Sequence, residues 1–425
     1  MTSQRPVLYD LTHLSHRAEN PTPSGIDRVD LMFARAFAAS PDLAGAVHYG
    51  ARRPSLLAPA ELSRVVARAE RRWGGRLSAD PAFDRLRAWI LNPAAPSVGK
   101  PREPPKWRRE FVRRARIGRY KFISRARAPV DSLYLNIAQH ALEQRSHFDW
   151  LRTRPDVKPV FFLHDLLPLD HPEFWPAGHE ALFADRIETL FSLARGIVTS
   201  SKTVAARIGQ EYERRGLKAP PIFARPLPSP LQRGPETSAA ADPELAAEPY
   251  LVVVGTIEPR KNHLMLLNCW RAMIESGHRP PKLVLVGGRG WVNAETAAAL
   301  ERCRALAGFV LEASGLNDHG LRSLMMSARG LLAPSFAEGF GLPTVEALEL
   351  GLPVIASNLP VFQEASRGHA ILMDPIDSVA WRGAALALTD EHSTFAREAK
   401  RRAIGFPRLE ASAYFEDVHA FLRGV

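Results

Sequence analysis

Two glutamates, Glu338 and Glu346, flank seven residues that read as a glycine-rich bend and the start of a helix. Gly339 and Gly341 permit positive φ and a close approach of backbone to a ligand. Pro343 suits the first turn of a helix, where free N–H groups attract anions. Carboxylates accept hydrogen bonds from hydroxyl groups. The segment therefore predicts a site for a ligand that carries phosphate and several hydroxyls; the alternative is a surface acid followed by an acid early in a helix.

A second anion-binding pattern lies at Arg260 and Lys261, which follow the apolar run 250–255 and precede a helical segment. Two adjacent cations at the start of a helix, with Asn262 as a candidate cap, would bind a diphosphate. The pattern is neither GxxxxGK[ST] nor GxGxxG, so the two commonest phosphate-binding loops are excluded. The alternative is a pair of solvated loop cations.

Short apolar runs followed by helical patterns predict an α/β protein with two Rossmann-like domains. Continuously apolar strands separated by helices are typical of parallel sheets covered on both faces. Ligands of such sheets bind at the carboxyl ends of the strands. The predicted strands are 7–11, 45–50, 132–138, 159–165 and 196–201 in the N-terminal half, and 250–255, 282–288, 308–313, 330–335, 353–357 and 370–374 in the C-terminal half.

Composition shifts along the chain divide it into segments. We predict an N-terminal domain over 1–228, in which 51–130 is an Arg-rich, helical insertion that an α/β core does not need. A Pro-rich linker follows over 229–248, and the second domain covers 249–408. An amphipathic helix over 409–425 must bury its apolar stripe, and the N-terminal domain is the candidate surface.

The chain of 425 residues has a formal net charge of +11, and much of the excess is local. Twelve Lys and Arg but only two Glu lie between residues 100 and 127, interleaved with aromatic side chains. This segment is either a solvated helical face or a surface that lies on an anionic membrane. Nucleic acid would use the same charge, but no recognised nucleic-acid motif accompanies it. We expect membrane contact and no nucleic-acid partner.

The remaining composition argues against several classes of protein. The two cysteines, Cys269 and Cys303, lack a CxxC or His-rich neighbour, so neither a disulfide framework nor a zinc site is expected. The N-terminus lacks the apolar stretch of a signal peptide, and no run long enough to span a bilayer occurs. These features favour a cytoplasmic protein.

Taken together, the motifs resemble those of the retaining glycosyltransferases of family 4, which have the two-domain GT-B fold. EGFGLPTVEALELGLPVIAS resembles the E-x7-E segment of that family, and VGTIEPRKN resembles the basic loop of its mannosyltransferase-like members. FLHDLLPLDHPEFW resembles its His-Asp segment and TPSGIDRV its first glycine loop. The resemblance covers nearly the whole chain except residues 51 to 130.

The resemblance implies roles for the motif residues. Glu338 would bind the hydroxyls of the donor sugar, Glu346 the ribose, and Arg260 and Lys261 the diphosphate. His164 with Asp165 would border the transferred sugar and complete the catalytic set. The further donor contacts that it implies are Ser24, Gly25, Gly255, Thr256, Gly315, Leu316, Gly339, Phe340, Gly341, Leu342, Pro343 and Thr344.

Two departures from the family pattern stand out. Thr256 occupies a place where the family commonly has arginine, so Arg260 would supply the second cation. Asp27 and Arg28 lie near a position where family members contact the acceptor, which leaves the acceptor open.

As implied by the resemblance, the protein would transfer a hexose, with mannose from GDP-mannose as the candidate, to a glycan or lipid-linked acceptor. The pathway would be biosynthesis of a cell-surface polysaccharide such as lipopolysaccharide, at the inner face of the cytoplasmic membrane. No DxD motif occurs, so we expect no metal and no other cofactor. Two alternatives remain: a GT-B nucleotide-sugar epimerase or hydrolase, and a non-catalytic scaffold for glycan assembly.

Overall fold

The computed structural model describes residues 5–50, 54–74, 80–92, 128–231, 241–291, 293–390 and 392–425. These residues form two α/β domains, each built on its own sheet. The predicted basic segment 100–127 lies outside the described residues, as do residues 232–240 of the predicted linker. None of the helices that the structure describes is long and apolar enough to cross a membrane.

The N-terminal sheet has seven strands in the order β3-β2-β1-β4-β5-β6-β7. All neighbours are parallel except β3, which pairs antiparallel with β2 at one edge. The strands are β1 (Val7–Asp10), β2 (Leu43–Tyr49), β3 (Pro54–Leu57), β4 (Leu133–Asn136), β5 (Lys158–Phe162), β6 (Gly196–Thr199) and β7 (Ile222–Ala224).

The C-terminal sheet has six strands, all parallel, in the order β10-β9-β8-β11-β12-β13. Its strands are β8 (Tyr250–Val254), β9 (Lys282–Val286), β10 (Val310–Ala313), β11 (Gly330–Ala333), β12 (Val354–Ser357) and β13 (Ile371–Met373). The order reverses at β8, so the crevice beside its carboxyl end is the topological switch point where open α/β sheets bind ligands.

Helices cover both faces of each sheet. In the first domain they are α1 (Thr12–Arg17), α2 (Gly25–Ala38), α3 (Pro59–Trp73), α4 (Pro81–Leu91), α5 (Asp149–Arg152), α6 (Leu167–Asp170), α7 (His179–Leu193) and α8 (Lys202–Arg214). Later in the chain come α9 (Pro243–Ala247), α10 (His263–Glu275), α11 (Ala294–Arg302), α12 (Asp318–Ser327), α13 (Leu342–Glu349), α14 (Pro360–Ser366), α15 (Ser378–Thr389), α16 (Thr394–Ile404) and α17 (Ala411–Gly424).

The apolar strands are buried on both faces, as their continuous hydrophobicity predicts. In β8, Tyr250 and Val252 face a core that also contains residues of the N-terminal domain, whereas Leu251 and Val253 face a second core. Successive side chains of a strand point to opposite faces, which produces this division. The shared core joins the two domains.

The segment predicted as an insertion begins inside the first domain's core. β3 extends the sheet, and α3 packs on α2 and β2. Leu62, Ala69 and Trp73 of α3 are at most 1% exposed. Residues 54–73 are therefore part of the core rather than an addition to it, because they cover a face that the sheet would otherwise expose.

The C-terminal helix α17 packs on the N-terminal domain. Its Tyr414 and Phe415 lie edge-on to Phe33 of α2, and Phe421 contacts Phe223 of β7. The chain thus returns to the first domain after completing the second, and α17 packs beside α2 with its end near β6 and β7.

Candidate functional site

A cleft of about 160 Å³ lies between the two domains at the carboxyl ends of β8, β9 and β10. The N-terminal domain contributes the loop before α2 and one arginine; the second domain contributes three glycine-rich strand ends and the start of α13. The lining residues are Thr22, Pro23, Ser24, Gly25, Arg28, Val254, Gly255, Thr256, Val286, Gly287, Gly288, Ser314, Gly315, Leu316, Leu321, Leu342, Pro343 and Glu346.

Nine of these residues were predicted from the sequence: Ser24, Gly25, Gly255, Thr256, Gly315, Leu316, Leu342, Pro343 and Glu346. Sequence reasoning missed Gly287 and Gly288, although both end the predicted strand 282–288. A Cβ on Gly287 would collide with the carbonyl of Gly255, so only glycine allows these two strand ends to approach so closely. The double glycine after an apolar run was the signal that could have identified them.

The bend before α13 has the backbone that its glycines predict. Gly341 has a φ of +87°, and a Cβ there would strike the ring of Phe362. Pro343 lies in the first turn of α13, but the N–H of Thr344 already donates to the carbonyl of Gly341 at 2.9 Å. Fewer N–H groups are therefore free for an anion than the sequence predicts.

A cluster of two partly buried cations and two buried carboxylates lies beside the cleft. Glu338 accepts from Arg260 Nη1 at 2.8 Å, from Lys261 Nζ and from Ser335 Oγ. Arg260 Nε also contacts Glu258 at 2.6 Å. Glu258 was not among the predicted residues. Lys261 Nζ lies near Gly255, which connects the cluster to the cleft.

Charge pairing keeps Glu338 ionised. Burial by itself raises the pKa of this carboxyl, but the charges of Arg260 and Lys261 lower the pKa to about 2. The cations are therefore balanced by protein carboxylates, and a bound diphosphate would compete with Glu338 for them. Asn262, expected as a helix cap, instead donates to the carbonyls of Pro334 and Pro375.

Glu346 is the buried carboxylate of the cleft itself. It is 3% exposed, and Oε1 has no hydrogen-bond partner among the described residues. Burial raises its pKa to about 7, although the nearby charge of Arg28 opposes this shift. Arg28 forms an ion pair with Asp318 at 2.6 Å across the domain boundary. An acceptor oxygen held without a partner in a cleft is suited to a ligand hydroxyl.

We expect the Glu346→Gln variant to remove a pH dependence of stability. The pKa of this group rises from 4.5 in the unfolded chain to about 7 in the fold, so its contribution is complete below pH 4.5 and is lost as the pH rises through 7. The loss is about 3 kcal/mol. In urea unfolding, the free energy of unfolding of the variant minus that of wild type should increase by about this amount between pH 5 and pH 8.

The control for this titration is Glu213→Gln, which changes an exposed carboxylate of α8. Its difference from wild type should stay constant between the two pH values. A Glu346→Gln difference that also stays constant would contradict the shifted pKa of Glu346.

The His164–Asp165 segment meets the glycine bend across the domain boundary. A Cβ on Gly339 would lie 2.7 Å from Asp165 Oδ2 and 2.9 Å from the carbonyl of His164. His164 Nε2 donates to the carbonyl of Ile137 at 2.9 Å, and burial lowers its pKa to about 4. His164 is therefore neutral at pH 7. Burial raises the pKa of Asp165, which the charge of Arg260 opposes.

A network of polar side chains fixes the Ser24–Gly25 loop. Asp27 is fully buried and accepts from His13, Arg17 and the backbone N–H of Ser24, while Ser24 Oγ caps α2. Burial opposes ionisation, but His13 and Arg17 hold the pKa of Asp27 well below its usual value. Asp27 thus points into its own domain and positions this side of the cleft.

The structure therefore brings the predicted residues together in two adjoining groups. One group lines the cleft with Glu346; the other contains Arg260, Lys261 and Glu338, with His164 and Asp165 opposite. Among the described residues, no three His, Cys, Asp or Glu side chains are grouped so as to hold a metal ion.

Comparison with known proteins shows that the second domain matches a described family. Residues 248–391 match the family model described as "Glycosyl transferases group 1". The C-terminal domain is thus similar to the glycosyltransferases of this family. Its match covers β8 to β13, and hence every strand end of that domain that lines the cleft, so the glycosyltransferase resemblance of the motifs is confirmed there.

Curated relatives of this chain include the serotype-specific mannosyltransferase WbdA of Escherichia coli, 30% identical over 221 residues that make up 49% of this chain and 27% of WbdA. The O-antigen chain mannosyltransferase B of Escherichia coli is 29% identical, over 52% of this chain and 58% of that protein. The match thus spans only about a quarter of the length of WbdA.

Solved structures resemble the whole chain. Sucrose-phosphate synthase from Thermosynechococcus elongatus aligns with a TM-score of 0.56 and 17% identity, over 98% of this chain and 99% of that chain. The trehalose-6-phosphate phosphatase N-terminal domain of Candida albicans aligns with a TM-score of 0.56 and 12% identity, over 100% and 97%. At these identities the likeness shows the fold, and the predicted GT-B architecture is confirmed.

Proposed function

We propose that the protein transfers a hexose from a nucleotide sugar to a glycan or lipid-linked acceptor in the biosynthesis of a cell-surface polysaccharide. The observation that carries this proposal is the pairing of a buried carboxylate, Glu346, inside the interdomain cleft with a partly buried pair of cations beside it. A ligand with ribose hydroxyls at one end and a diphosphate at the other matches both groups. The relatives named as O-antigen mannosyltransferases favour mannose as the transferred sugar. GDP-mannose is the donor that we propose.

In this proposal the bond between the anomeric carbon and the diphosphate oxygen breaks, and negative charge develops on the leaving group. Arg260 and Lys261 stabilise that charge, which is the effect that usually contributes most to such catalysis. The acceptor hydroxyl attacks from the same face and gives its proton to the departing phosphate oxygen, so the anomeric configuration is retained. No metal is required in this scheme, because the two cations supply the charge.

The N-terminal domain supplies the acceptor side. Neutral His164 and the adjacent Asp165 face the bend that carries Glu338, so they would border the transferred sugar. The Ser24–Gly25 loop, fixed by Asp27, closes the opposite end of the cleft. Once the diphosphate binds Arg260 and Lys261, Glu338 would accept hydrogen bonds from sugar hydroxyls instead.

We also propose that the protein works at the inner face of the cytoplasmic membrane, with residues 100–127 against anionic lipid. Their charge and aromatic content support this. We test this by sedimenting the protein with phosphatidylglycerol vesicles. If the same fraction of protein sediments with neutral vesicles, the proposed binding to anionic lipid is wrong.

Nucleotides should stabilise the folded protein, because a ligand that binds only the native state raises its apparent stability. We expect GDP and GDP-mannose to raise Tm by several degrees without added metal, as a ligand at about 100 times Kd adds about 2.7 kcal/mol. UDP, ADP and dTDP are measured in the same way to test whether the site is specific for GDP. A shift only on addition of Mg²⁺ would contradict metal independence, and no shift with any nucleotide would favour a glycan-assembly scaffold.

A further inference from the structure

We infer that α4 is a strap by which the N-terminal half of the chain holds the loop 314–317 of the cleft in place, and that Asp80 is a positioning residue for the nucleoside end of the donor. The inference rests on the proposed function, because it assigns that end of the cleft to a nucleoside diphosphate. Neither the family resemblance nor the family match includes residues 80–91.

α4 lies between α3 and β4 in the sequence but packs on the other domain, against α9 and α12. Its apolar side chains Leu86, Trp89 and Ile90 are at most 3% exposed. Burial of three large apolar side chains stabilises this contact through the hydrophobic effect. The helix is thus anchored on the C-terminal domain.

Polar contacts fix both the flank and the end of α4. Arg87 donates to Asp242 at 2.6 Å and to Glu244 at 2.7 Å. At the end of the helix, Lys282 Nζ donates to the carbonyl of Ile90 and lies 5.5 Å from the centre of the Trp89 ring. Lys282 is the first residue of β9, so the end of α4 is tied to the sheet itself.

At the start of α4, the two carboxylate oxygens of Asp80 accept hydrogen bonds from different parts of the chain. Oδ1 caps the helix by accepting from the N–H groups of Ala82 and Phe83 at 3.0 and 3.1 Å. Oδ2 accepts from the N–H of Asn317 at 2.9 Å, in the other domain. Asn317 in turn caps α12 through the N–H of Gly320. One carboxylate therefore joins the starts of two helices.

The loop that Asp80 holds is part of the cleft. Ser314, Gly315 and Leu316 line it, and Asn317 follows directly. Gly315 has a φ of +87°, and a Cβ there would lie 3.9 Å from Cβ of Ala82, so the start of α4 backs this turn. The amide and carbonyl groups that face the cleft are thereby fixed from behind.

The position of β10 explains why a strap is useful there. β10 is the edge strand of the C-terminal sheet, so the loop after it has a neighbouring strand end on one side only. Backbone groups at a sheet edge lack the partners that a further strand would provide. Asp80, at the start of α4, supplies a partner from outside the sheet for one group of the loop that follows, the N–H of Asn317. The strap therefore preorganises this loop, which would otherwise lose conformational entropy when the ligand binds.

The test uses the full chain with Asp80→Asn, which retains one acceptor oxygen for the cap of α4 but replaces the other by an NH₂ donor that cannot accept from Asn317. We expect faster hydrogen exchange at the amides of 314–317 and a Kd for GDP and UDP weaker by about 10- to 100-fold, the range for a hydrogen bond to a charged group. In turnover, KM for the donor rises while kcat at saturation changes little.

Asp84→Asn, which alters an exposed carboxylate of the same helix, is the matched control and should behave as wild type in every assay. If hydrogen exchange at the amides of 314–317 is unchanged in Asp80→Asn, α4 is not the strap that we infer. The same conclusion follows if exchange is faster but the Kd for GDP and UDP is unchanged. A wild-type protein that binds none of GDP, UDP, ADP and dTDP overturns the proposed function, and the nucleoside assignment of the strap with it. The two failures are thus distinguished by the wild-type titration.

Discussion

Replacing Lys261 by methionine is expected to lower kcat by about 100- to 1,000-fold, the range for removing one group that stabilises developing negative charge. Lys261, whose side chain is partly buried, lies beside Glu338 and close to Gly255 near the end of β8. Methionine keeps the length and the apolar stem of the side chain but removes its charge, so the leaving diphosphate loses a cation. Release of GDP from GDP-mannose in the presence of acceptor measures the effect.

Lys202→Met is the matched control, because Lys202 is an exposed lysine at the start of α8 in the other domain. It should retain wild-type kcat. The folding of Lys261→Met is checked by its thermal melt, since Glu338 keeps its contacts with Arg260 and Ser335. A kcat within a few-fold of wild type in a folded Lys261→Met protein would assign Lys261 a purely structural part in the cluster.

Glu338→Ala is expected to lower the free energy of unfolding by about 3 to 5 kcal/mol at pH 7, the usual effect of breaking a buried ion pair from one side. Arg260 keeps its ion pair with Glu258. Among the described residues, Glu338 is the only carboxylate that forms an ion pair with Lys261, so the variant removes that partner. At higher pH the deficit shrinks, because the buried lysine can release its proton. Urea unfolding at pH 7 and pH 10 measures both effects.

Pyrophosphate or GDP should restore part of the lost stability of Glu338→Ala, since an anion can replace the missing carboxylate beside the two cations. The matched control is Glu213→Ala, which removes an exposed carboxylate and should change stability by less than about 0.5 kcal/mol. A deficit of that small size in Glu338→Ala would mean that the cations do not depend on Glu338. Restoration by chloride as effective as by pyrophosphate would argue against a diphosphate site.

Much of the fold followed from local sequence patterns. Runs such as 250–255 and 282–288 predicted buried parallel strands, and β8 and β9 lie within them. The bend at Gly341 followed from its glycines and Pro343, because positive φ and the first turn of a helix are properties of a few adjacent residues. Residues 54–57 were not predicted as a strand, since they form an edge strand whose pairing with β2 depends on tertiary contact.

The contents of the candidate site were predicted less completely. Nine of the predicted residues line the cleft, but the burial of Glu338 against Arg260 and Lys261 joins residues almost eighty positions apart. No spacing rule indicates such a pairing. Glu258 was missed for the same reason, because in the sequence it is one acid beside a proline and two cations.

The sequence by itself determined the strands, the glycine-rich strand ends, the proline-started helix and the family resemblance, because these depend on backbone preferences and hydrophobic period within short windows. Only the tertiary structure decided which charges pair, that Glu346 is buried with a raised pKa, and that α4 crosses to the other domain to hold Asn317. Burial and charge–charge distances are set by how the two sheets and their helices pack, and packing brings together residues that are far apart in the chain.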